Sequence, residues 1–472
     1  MEFNSFAYLV LLISTFAIYY LPFLRQIQIW ILILASGFFY AYHNPYLILL
    51  LIFSVLINSW LGFKIGSTAK NRKQVHVYFI AGIVLNLSLL TFFKYSGFLV
   101  KTFFPSLSHS NSFFHLLMSV PLPIGISFFT FEGVSLLVDT LKDSKSLSLD
   151  GQGIRGYFKK VALFIGFFPH LISGPVLRAK NFFPQVSEKR LCAIDWEFAF
   201  RSLVKGYFFK MVIADNLKQH TVEMGNIFKL NNTFSSMDLT LLLLAYSIQI
   251  FSDFEGYSQI AIGTASLFGY RLPQNFNFPY VAKSIADFWH RWHISLSTWL
   301  RDYLYFPLGG NRQGGFRTYV NLFIVMLLGG LWHGADWKYV VWGAYHGGGL
   351  IIERYFKDHI RFKECWGFNV LSIVGVFVFV SVGWLIFSLP HLNYFFIYIK
   401  ALFMNVSKQS NYRWFCLILV YSIPVLLYHL RSLLDLQWTI AMRQWDWIVY
   451  SFLLFAIFTS SGSSSTFIYF QF

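Results

Sequence analysis

Long apolar runs recur along the chain from its beginning to its end. The clearest of them are Phe6–Leu24, Tyr46–Phe63, Val77–Phe93, Asn369–Leu389 and Trp414–Tyr428. A helix needs about 20 apolar residues to cross the roughly 30 Å of hydrocarbon in a bilayer, and these runs approach that length. The pattern predicts an all-α polytopic membrane protein in which no separate soluble domain remains.

The first run is interpreted as the first helix of the protein rather than as a cleaved signal. It lacks a basic stretch before it and a small-residue cleavage site after it, and further apolar runs follow directly. Near the other end, a short span over Trp447–Thr459 precedes a Ser/Gly segment that closes with the aromatic hexapeptide Phe467–Phe472. The predicted organisation is a transmembrane domain over residues 1–459 and a C-terminal tail over residues 460–472.

The middle third of the chain has a different pattern. Val161–Asn181 and Leu239–Tyr345 mix apolar residues with Gly, Pro, His, Asp and Arg more densely than a lipid-facing helix tolerates. Polar groups at membrane depth have to face protein or a water-filled cavity. The pattern predicts broken helices and re-entrant loops in this region, and it is the region in which we expect the chemistry.

The composition supports a membrane protein, with 56% hydrophobic residues, 12% charged residues and a formal net charge of +16. The basic residues cluster in short connections such as Lys64–Lys73 and Lys142–Lys160, which indicates membrane topology rather than binding of nucleic acid. The positive-inside rule places these clusters in the cytoplasm and both the N-terminus and the C-terminal tail outside it. The three cysteines are isolated, so neither a disulfide framework nor a thiolate metal site is predicted.

The densest group of ionisable residues lies in Ser284–Tyr305, and the pattern of this segment predicts one helix. On a period of about 3.6 residues, His290 and His293 share one face, and Arg301 and Asp302 follow two turns later. An interfacial helix whose polar face meets water would explain the same pattern. The clustering of several ionisable groups on one side favours a functional site.

His333 lies in Leu328–Ala335, between glycines at the end of an apolar segment. An imidazole buried at membrane depth costs stability, and ionisable groups there are functional candidates by default. A structural histidine that bonds a neighbouring carbonyl is the alternative. Glycines on both sides permit a close approach of backbone or ligand, and they favour the functional interpretation.

Other polar residues in the apolar segments are weaker candidates. His346 is as consistent with packing as with function, and the spacing of the histidines does not indicate a metal site. Asp253 and Glu255 need partners, and by composition Arg271, Arg291 and Arg301 could provide structural ion pairs between helices. Arg178 follows a Gly-Pro turn, and its guanidinium suits an anionic phosphate.

Several motifs together resemble the membrane-bound O-acyltransferase family, in the branch of the bacterial alginate O-acetylation membrane proteins. The resemblance rests on five blocks and the aromatic ending: Pro123–Phe131, Phe168–Pro175, Trp292–Ser297, Asp302–Arg312, Leu331–Gly334 and Phe467–Phe472. It implies a helical bundle around a transmembrane tunnel, in which His333 is catalytic and His293 assists beside it. His290 departs from the arginine expected in the family block.

The tail resembles the aromatic C-terminal motif of the small peptide partner in teichoic-acid D-alanylation systems. That resemblance implies that Tyr469 accepts the acyl group, with His333 as the general base. The residues from Thr459 to Tyr469 could extend on the order of 30 Å, which is comparable with the thickness of the hydrocarbon layer. An aromatic anchor at the membrane interface is the alternative for Tyr469.

The resemblance implies an enzyme of the bacterial cytoplasmic membrane that moves acetyl from acetyl-CoA toward an extracytoplasmic polysaccharide, of the alginate or peptidoglycan type. It also implies an external transferase of the SGNH hydrolase type as partner, with no bound cofactor. A transporter or flippase would also fit broken helices and buried charges, and acylation of a lipid within the membrane is a third possibility. Loss of His333 should abolish the activity of an acyltransferase, whereas a flippase should tolerate it, so this residue distinguishes the two hypotheses.

Overall fold

The computed structural model describes residues 1–67, 71–106, 112–143, 153–172, 174–359, 366–434 and 443–463. These residues form α-helices, short 3-10 and π-helical segments and connecting turns, and they contain no strand. Among them, 7 helical segments are long and apolar enough to cross a membrane. The prediction of an all-α polytopic membrane protein is therefore confirmed.

The chain divides into two compact units. The first unit comprises Met1–Ser202 and Ile260–Pro273. Its helices are α1 (Phe6–Tyr19), α2 (Gln28–Ala41), α3 (Ile48–Ser67), α4 (Arg72–Leu90), α5 (Ser96–Phe103), α6 (Ser112–Met118), α7 (Ile126–Lys142), α8 (Gly153–Gly166) and α9 (Ala179–Phe182). Two helices contribute residues to both units, namely α10 (Trp196–Tyr207) and α13 (Ser236–Leu267).

The second unit comprises Leu203–Gln259 and Gln274–Phe472. Besides its parts of α10 and α13, it contains α11 (Asp215–Thr221), α12 (Ile227–Asn232), α14 (Ile285–Arg291), α15 (Ile294–Leu300), α16 (Gly315–His333), α17 (Trp337–His359), α18 (Trp366–Ser388), α19 (Leu392–Met404), α20 (Tyr412–Arg431) and α21 (Asp446–Ser460). Two π-helical segments, Phe208–Ala214 and Arg301–Tyr305, continue α10 and α15.

Four of the five apolar runs named from the sequence fall within candidate spans, which are Pro45–Ser67, Arg72–Phe103, Trp366–Ser388 and Tyr412–Arg431. The first run is shorter than predicted, because α1 ends at Tyr19 after 14 residues and Pro22 starts a 3-10 turn. A helix of that length spans only about 21 Å. α21 has 15 residues and is also shorter than a usual crossing.

The middle third is only partly broken. α13 runs without interruption for 32 residues, so the prediction of broken helices was wrong for this segment. The carboxylates of Asp253 and Glu255 pair with lysines inside the protein, and 78% of the most apolar 18-residue stretch of α13 is buried. Between α13 and α16 the prediction is confirmed, since that stretch contains only short helical pieces.

Polar side chains join the helices of the first unit. Asn58 of α3 and Asn86 of α4 exchange side-chain hydrogen bonds of 3.1 and 2.8 Å and are fully buried. Gly133 of α7 lies against this pair, and a Cβ atom at Gly133 would come within 2.7 Å of both amides. Interhelical amide bonds and small residues are the usual means of helix association in lipid.

In the second unit, α16 and α17 pack with their backbones in close contact. A Cβ atom at Gly330 would lie 2.2 Å from the carbonyl oxygen of Tyr339, and one at Gly343 would lie 2.5 Å from that of Met326. Since no larger side chain fits at this contact, the two glycines fix the spacing of the helices. The short turn between α16 and α17 makes the pair antiparallel and begins directly after His333.

We expect Gly343→Ala to lower the unfolding free energy by about 1 to 3 kcal/mol, because the added methyl group meets backbone atoms. The matched control is Gly348→Ala in the same helix, where nothing lies within 4 Å of the added atom. There the substitution should leave stability unchanged or raise it by up to about 1 kcal/mol. Thermal unfolding in detergent measures both variants, and equal midpoints would contradict the assigned close contact.

Candidate active site

His333 is the last residue of α16 and is 5% exposed. Its ring lies edge-on to Trp342 of α17, with centroids 5.1 Å apart, and to Phe387 of α18, with centroids 5.4 Å apart. The residue that follows, Gly334, has to be small, because a Cβ atom there would come 2.1 Å from the Tyr339 ring. Close helix packing and an aromatic wall therefore hold the imidazole at one place.

His293 lies at a break between α14 and α15 and is 1% exposed. Its backbone adopts a left-handed conformation with φ of 44°. The prediction of one helix over Ser284–Tyr305 was therefore wrong. Asn275 stabilises the break, because its carbonyl accepts from Ile294 N–H at 2.9 Å and its side chain accepts from Ser295 Oγ at 2.6 Å.

The break separates the two histidines that were predicted to share a face. The His293 ring turns inward, edge-on to Phe254 at 4.6 Å and at 6.0 Å from Trp332, the neighbour of His333. Burial lowers the pKa of His293, which lies outside the candidate spans, to about 3, so its ring is neutral at physiological pH. His290 is instead exposed.

A cavity of about 400 Å³ reaches His333 from one side. We call it the arginine cavity, and it is lined by Trp289, His290, Ile294, Leu296, Ser297, Thr298, Leu300, Arg301, Tyr305, Leu322, Val325, Met326, Gly329, His333, Trp342 and Arg354. His333 forms its buried end. The side chains of Arg301 and Arg354 are 49% and 41% exposed, and they place two guanidinium groups at its open end.

A second cavity, of about 570 Å³, begins at the residue after His333. We call it the Gly334 cavity, and it is lined by Lys218, Thr221, Val222, Met224, Gly225, Tyr246, Gln249, Gly334, Ala335, Asp336, Lys338, Tyr339, Ser388 and Pro390. Both volumes are within the range of small-molecule sites. His333 thus lies where one cavity ends and next to where the other begins.

His346 does not line either of these cavities. It is fully buried, and its ring lies edge-on to Trp289 at 5.2 Å and to Trp342 at 4.7 Å. Since both tryptophans also line the arginine cavity, His346 supports the cavity wall from behind. This placement agrees with the packing alternative that the sequence left open.

Asp253 belongs to a buried ion network rather than to either cavity. Lys210 Nζ lies 2.8 Å from Asp253 and 2.7 Å from Asp215, and the three side chains are at most 5% exposed. Lys205 makes the corresponding ion pair with Glu255 at 2.5 Å. The arginine partners suggested by composition were therefore wrong, since two lysines that the sequence analysis passed over hold these carboxylates.

The remaining predicted arginines have separate positions. Arg301 lines the arginine cavity and also pairs with Asp302 at 2.7 Å. Arg291 pairs with Asp287 one turn away at 2.8 Å and does not line this cavity. Arg178 belongs to the first unit, where it precedes α9 and is partly buried. Tyr469 lies outside the described residues.

The sequence analysis missed Arg354 and Trp342, both on α17. Arg354 adds a second guanidinium to the open end of the arginine cavity, and Trp342 forms the wall beside His333. A pattern of Gly343, Gly347 and Arg354 along one helix would have pointed to a closely packed face that ends in a charge. Only the pairing of α17 with α16 brings these residues into one cavity with His333.

Comparison with known proteins identifies one family and several relatives that transfer acyl groups. Residues 73–396 match the model of the MBOAT, membrane-bound O-acyltransferase family. The probable alginate O-acetylase of Pseudomonas aeruginosa is 38% identical over 412 residues, covering 87% of this chain and 76% of that protein. The peptidoglycan O-acetyltransferase of Helicobacter pylori is 35% identical over 390 residues, covering 78% of this chain and 72% of that protein.

A more distant relative is named for a different activity. The teichoic acid D-alanyltransferase of Bacillus subtilis is 29% identical over 383 residues, covering 76% of this chain and 88% of that protein. The candidate spans and the family match make the chain a multi-pass membrane protein. This chain belongs to the membrane-bound O-acyltransferase family, and its class of reaction is O-acyl transfer.

We expect Lys210→Met to destabilise the second unit by about 3 to 5 kcal/mol, because it leaves two buried carboxylates without their cation. The control is Lys229→Met, which removes the cation of a partly exposed pair with Glu223. That loss should cost at most about 1 kcal/mol. Unfolding in detergent and the yield of monodisperse protein measure the difference, and similar stabilities would refute the role of the Lys210 network.

Proposed function

We propose that this chain takes acetyl from acetyl-CoA at the arginine cavity and, with His333 as the general base, transfers it toward the O-acetylation of an extracytoplasmic polysaccharide. The observation that carries the proposal is the position of His333. It closes one cavity, and the other begins at the adjacent residue. A donor and an acceptor can therefore approach one imidazole from different cavities. The names of the two O-acetylating relatives support acetyl and polysaccharide as the substrates.

The arginine cavity suits a donor that carries phosphate groups. Its open end has His290, Arg301 and Arg354, and guanidinium groups bind phosphate through charge-assisted, bidentate hydrogen bonds. Its buried end is lined mainly by apolar side chains, which suit an acetyl thioester. Acetyl-CoA combines these two chemical features in one molecule.

The distribution of charge supports a cytoplasmic opening for this cavity. Arg312 and Arg317 lie at the start of α16, and Arg354 and Lys357 lie near the end of α17. Because the two helices are antiparallel, all four basic residues lie at the same end of the pair. The positive-inside rule places that end in the cytoplasm, where acetyl-CoA is available. The inner membrane is then the location of the protein.

The chemical step is an acyl transfer to a hydroxyl group. His333 removes the proton of the acceptor hydroxyl as its oxygen attacks the thioester carbonyl carbon. The new C–O bond forms, the C–S bond breaks, and coenzyme A leaves with a proton. The neutral ring of His293, which lies near Trp332, assists by orienting or polarising the donor.

Tyr469 of the C-terminal tail is the proposed first acceptor. A phenol has a pKa of about 10, close to the value of about 8.5 for a thiol, so a tyrosyl ester keeps much of the activation of a thioester. An external transferase of the SGNH type would then move acetyl from the Tyr469 oxygen to a polysaccharide hydroxyl, and the phenol would form again. Alginate and peptidoglycan are the two polysaccharides that the relatives' names suggest.

We expect purified protein supplied with radiolabelled acetyl-CoA to acquire a covalent label. The label should be absent in His333→Ala, which loses the base, and in Tyr469→Phe, which loses the acceptor oxygen. The rate of acetyl-CoA cleavage should fall by at least about 100-fold in His333→Ala. His346→Gln, tested for comparison in equally folded protein, should retain labelling because His346 lies behind the cavity wall.

The same measurement separates the alternatives. Labelling that persists in Tyr469→Phe would remove the tail carrier and leave the enzyme intact. Unchanged turnover in His333→Ala would refute the catalytic assignment and favour a transporter. Label recovered in extracted lipid rather than on protein would identify a lipid as the acceptor.

We expect Arg301→Met and Arg354→Met each to raise the KM for acetyl-CoA by about 10-fold with little change in kcat, since each removes a charge-assisted contact to phosphate. The control is Arg291→Met, whose guanidinium pairs with Asp287 outside the cavity. The difference should shrink at high ionic strength because salt screens exposed charges. An unchanged KM in both cavity variants would place the donor elsewhere.

A further inference from the structure

The chain continues after α21 into the C-terminal tail. Two hydrogen bonds to backbone atoms of Ser460, the last residue of α21, and of Gly462 hold the start of the tail. The carbonyl oxygen of Ser460 accepts a hydrogen bond of 2.8 Å from Asn216 Nδ2. Gly462 N–H donates a bond of 2.9 Å to the carbonyl oxygen of Met211. Met211 lies in the π-helical segment Phe208–Ala214, and Asn216 lies in the first turn of α11.

Gly462 fits this place because it has no side chain. A Cβ atom there would lie 2.8 Å from both the backbone nitrogen of Asn216 and the carbonyl carbon of Asp215. Real Cβ atoms do not come so close to backbone atoms, so any larger residue has to displace the tail or α11. We call the contact of Ser460 and Gly462 with Met211 and Asn216 the tail clamp.

The surface under the tail clamp cannot move easily. Asp215 pairs with Lys210 at 2.7 Å, and Lys210 also holds Asp253 of α13 at 2.8 Å. These three side chains are buried, and displacing one of them would separate charges at low dielectric. A side chain at position 462 is therefore expected to displace the tail rather than α11.

The tail clamp lies beside the Gly334 cavity. α11 begins with Asp215 and Asn216 at the clamp, and farther along it Lys218 and Thr221 line the cavity. The rise from Asp215 to Thr221 is only about 9 Å. Tyr469 follows Gly462 by a stretch of chain that can extend to about 24 Å, so its phenol can reach the cavity that begins beside His333.

We propose that the tail clamp is a positioning site, which directs residues 464–472 of this chain into the Gly334 cavity and thereby presents Tyr469 to His333. The inference rests on the proposed ester at Tyr469 and adds the residues that deliver the tyrosine. Gly462 and Asn216 are positioning residues, because they act on the tail and not on the reacting atoms. Their contribution is to raise the effective concentration of the tail at the cavity.

The test compares acetylation of the chain's own tail with acetylation of an added peptide that has the sequence of residues 464–472. We expect Gly462→Val to slow label transfer to its own Tyr469 by at least about 10-fold, because the tail is no longer directed toward the Gly334 cavity and its effective concentration there falls. With a saturating amount of added peptide, Gly462→Val should acetylate the peptide as fast as Tyr469→Phe does. The tail clamp and the reacting groups other than Tyr469 are unchanged in Tyr469→Phe. Ser463→Val is the matched control, since Ser463 is exposed and the substitution adds the same type of side chain.

Each outcome has a separate meaning. Equal labelling of the wild-type tail and the Gly462→Val tail would overturn the tail clamp and leave the proposed function standing. Loss of both reactions in Gly462→Val would overturn a positioning role in favour of a structural one. Absence of any ester on the wild-type tail would overturn the proposed carrier first, and the inference with it.

A cross-link tests the destination of the tail without relying on catalysis. In a chain whose three cysteines are replaced by serine, a Lys218→Cys and Gln471→Cys pair should form a disulfide on mild oxidation. Gly462→Val should reduce its yield several-fold, and Ser463→Val should not. A yield that is unaffected by Gly462→Val would contradict the proposed path of the tail.

Discussion

The close approach of α16 and α17 is the contact on which the candidate active site depends. Gly330 and Gly343 allow backbone to meet backbone, and this contact fixes the turn that follows His333. Lipid gives little hydrophobic drive for helices to associate, so the fit of small residues has to supply the attraction. The same contact sets Trp342 against the imidazole and places Arg354 at the open end of the arginine cavity.

Charged side chains in the second unit divide into two kinds. The Lys210 and Lys205 networks neutralise carboxylates on α13, and these side chains line neither of the two cavities. Arg301 and Arg354 are partly exposed and do line one of them. An ionisable residue at membrane depth is a reason to look for a function, and its partners decide whether the role is structural or chemical.

Local backbone irregularity positions both ends of the proposed reaction path. The left-handed residue His293 turns its ring away from the face of α14, and Asn275 holds that turn. The π-helical segment Phe208–Ala214 precedes α11 and receives the tail at Met211. Such departures from regular helix are found frequently at functional sites.

The sequence by itself determined the all-α membrane class and most of the long spans, because apolar length is a local property. It also marked His333 as a candidate, because an isolated polar residue in an apolar segment can be recognised locally. Periodicity could not foresee the break at His293, because Asn275 holds it from 18 residues earlier in the chain. The lysine partners of Asp253 and Glu255 and the arginine cavity likewise join residues distant in sequence. Only tertiary packing decided those contacts, since distance in space is not encoded in local spacing.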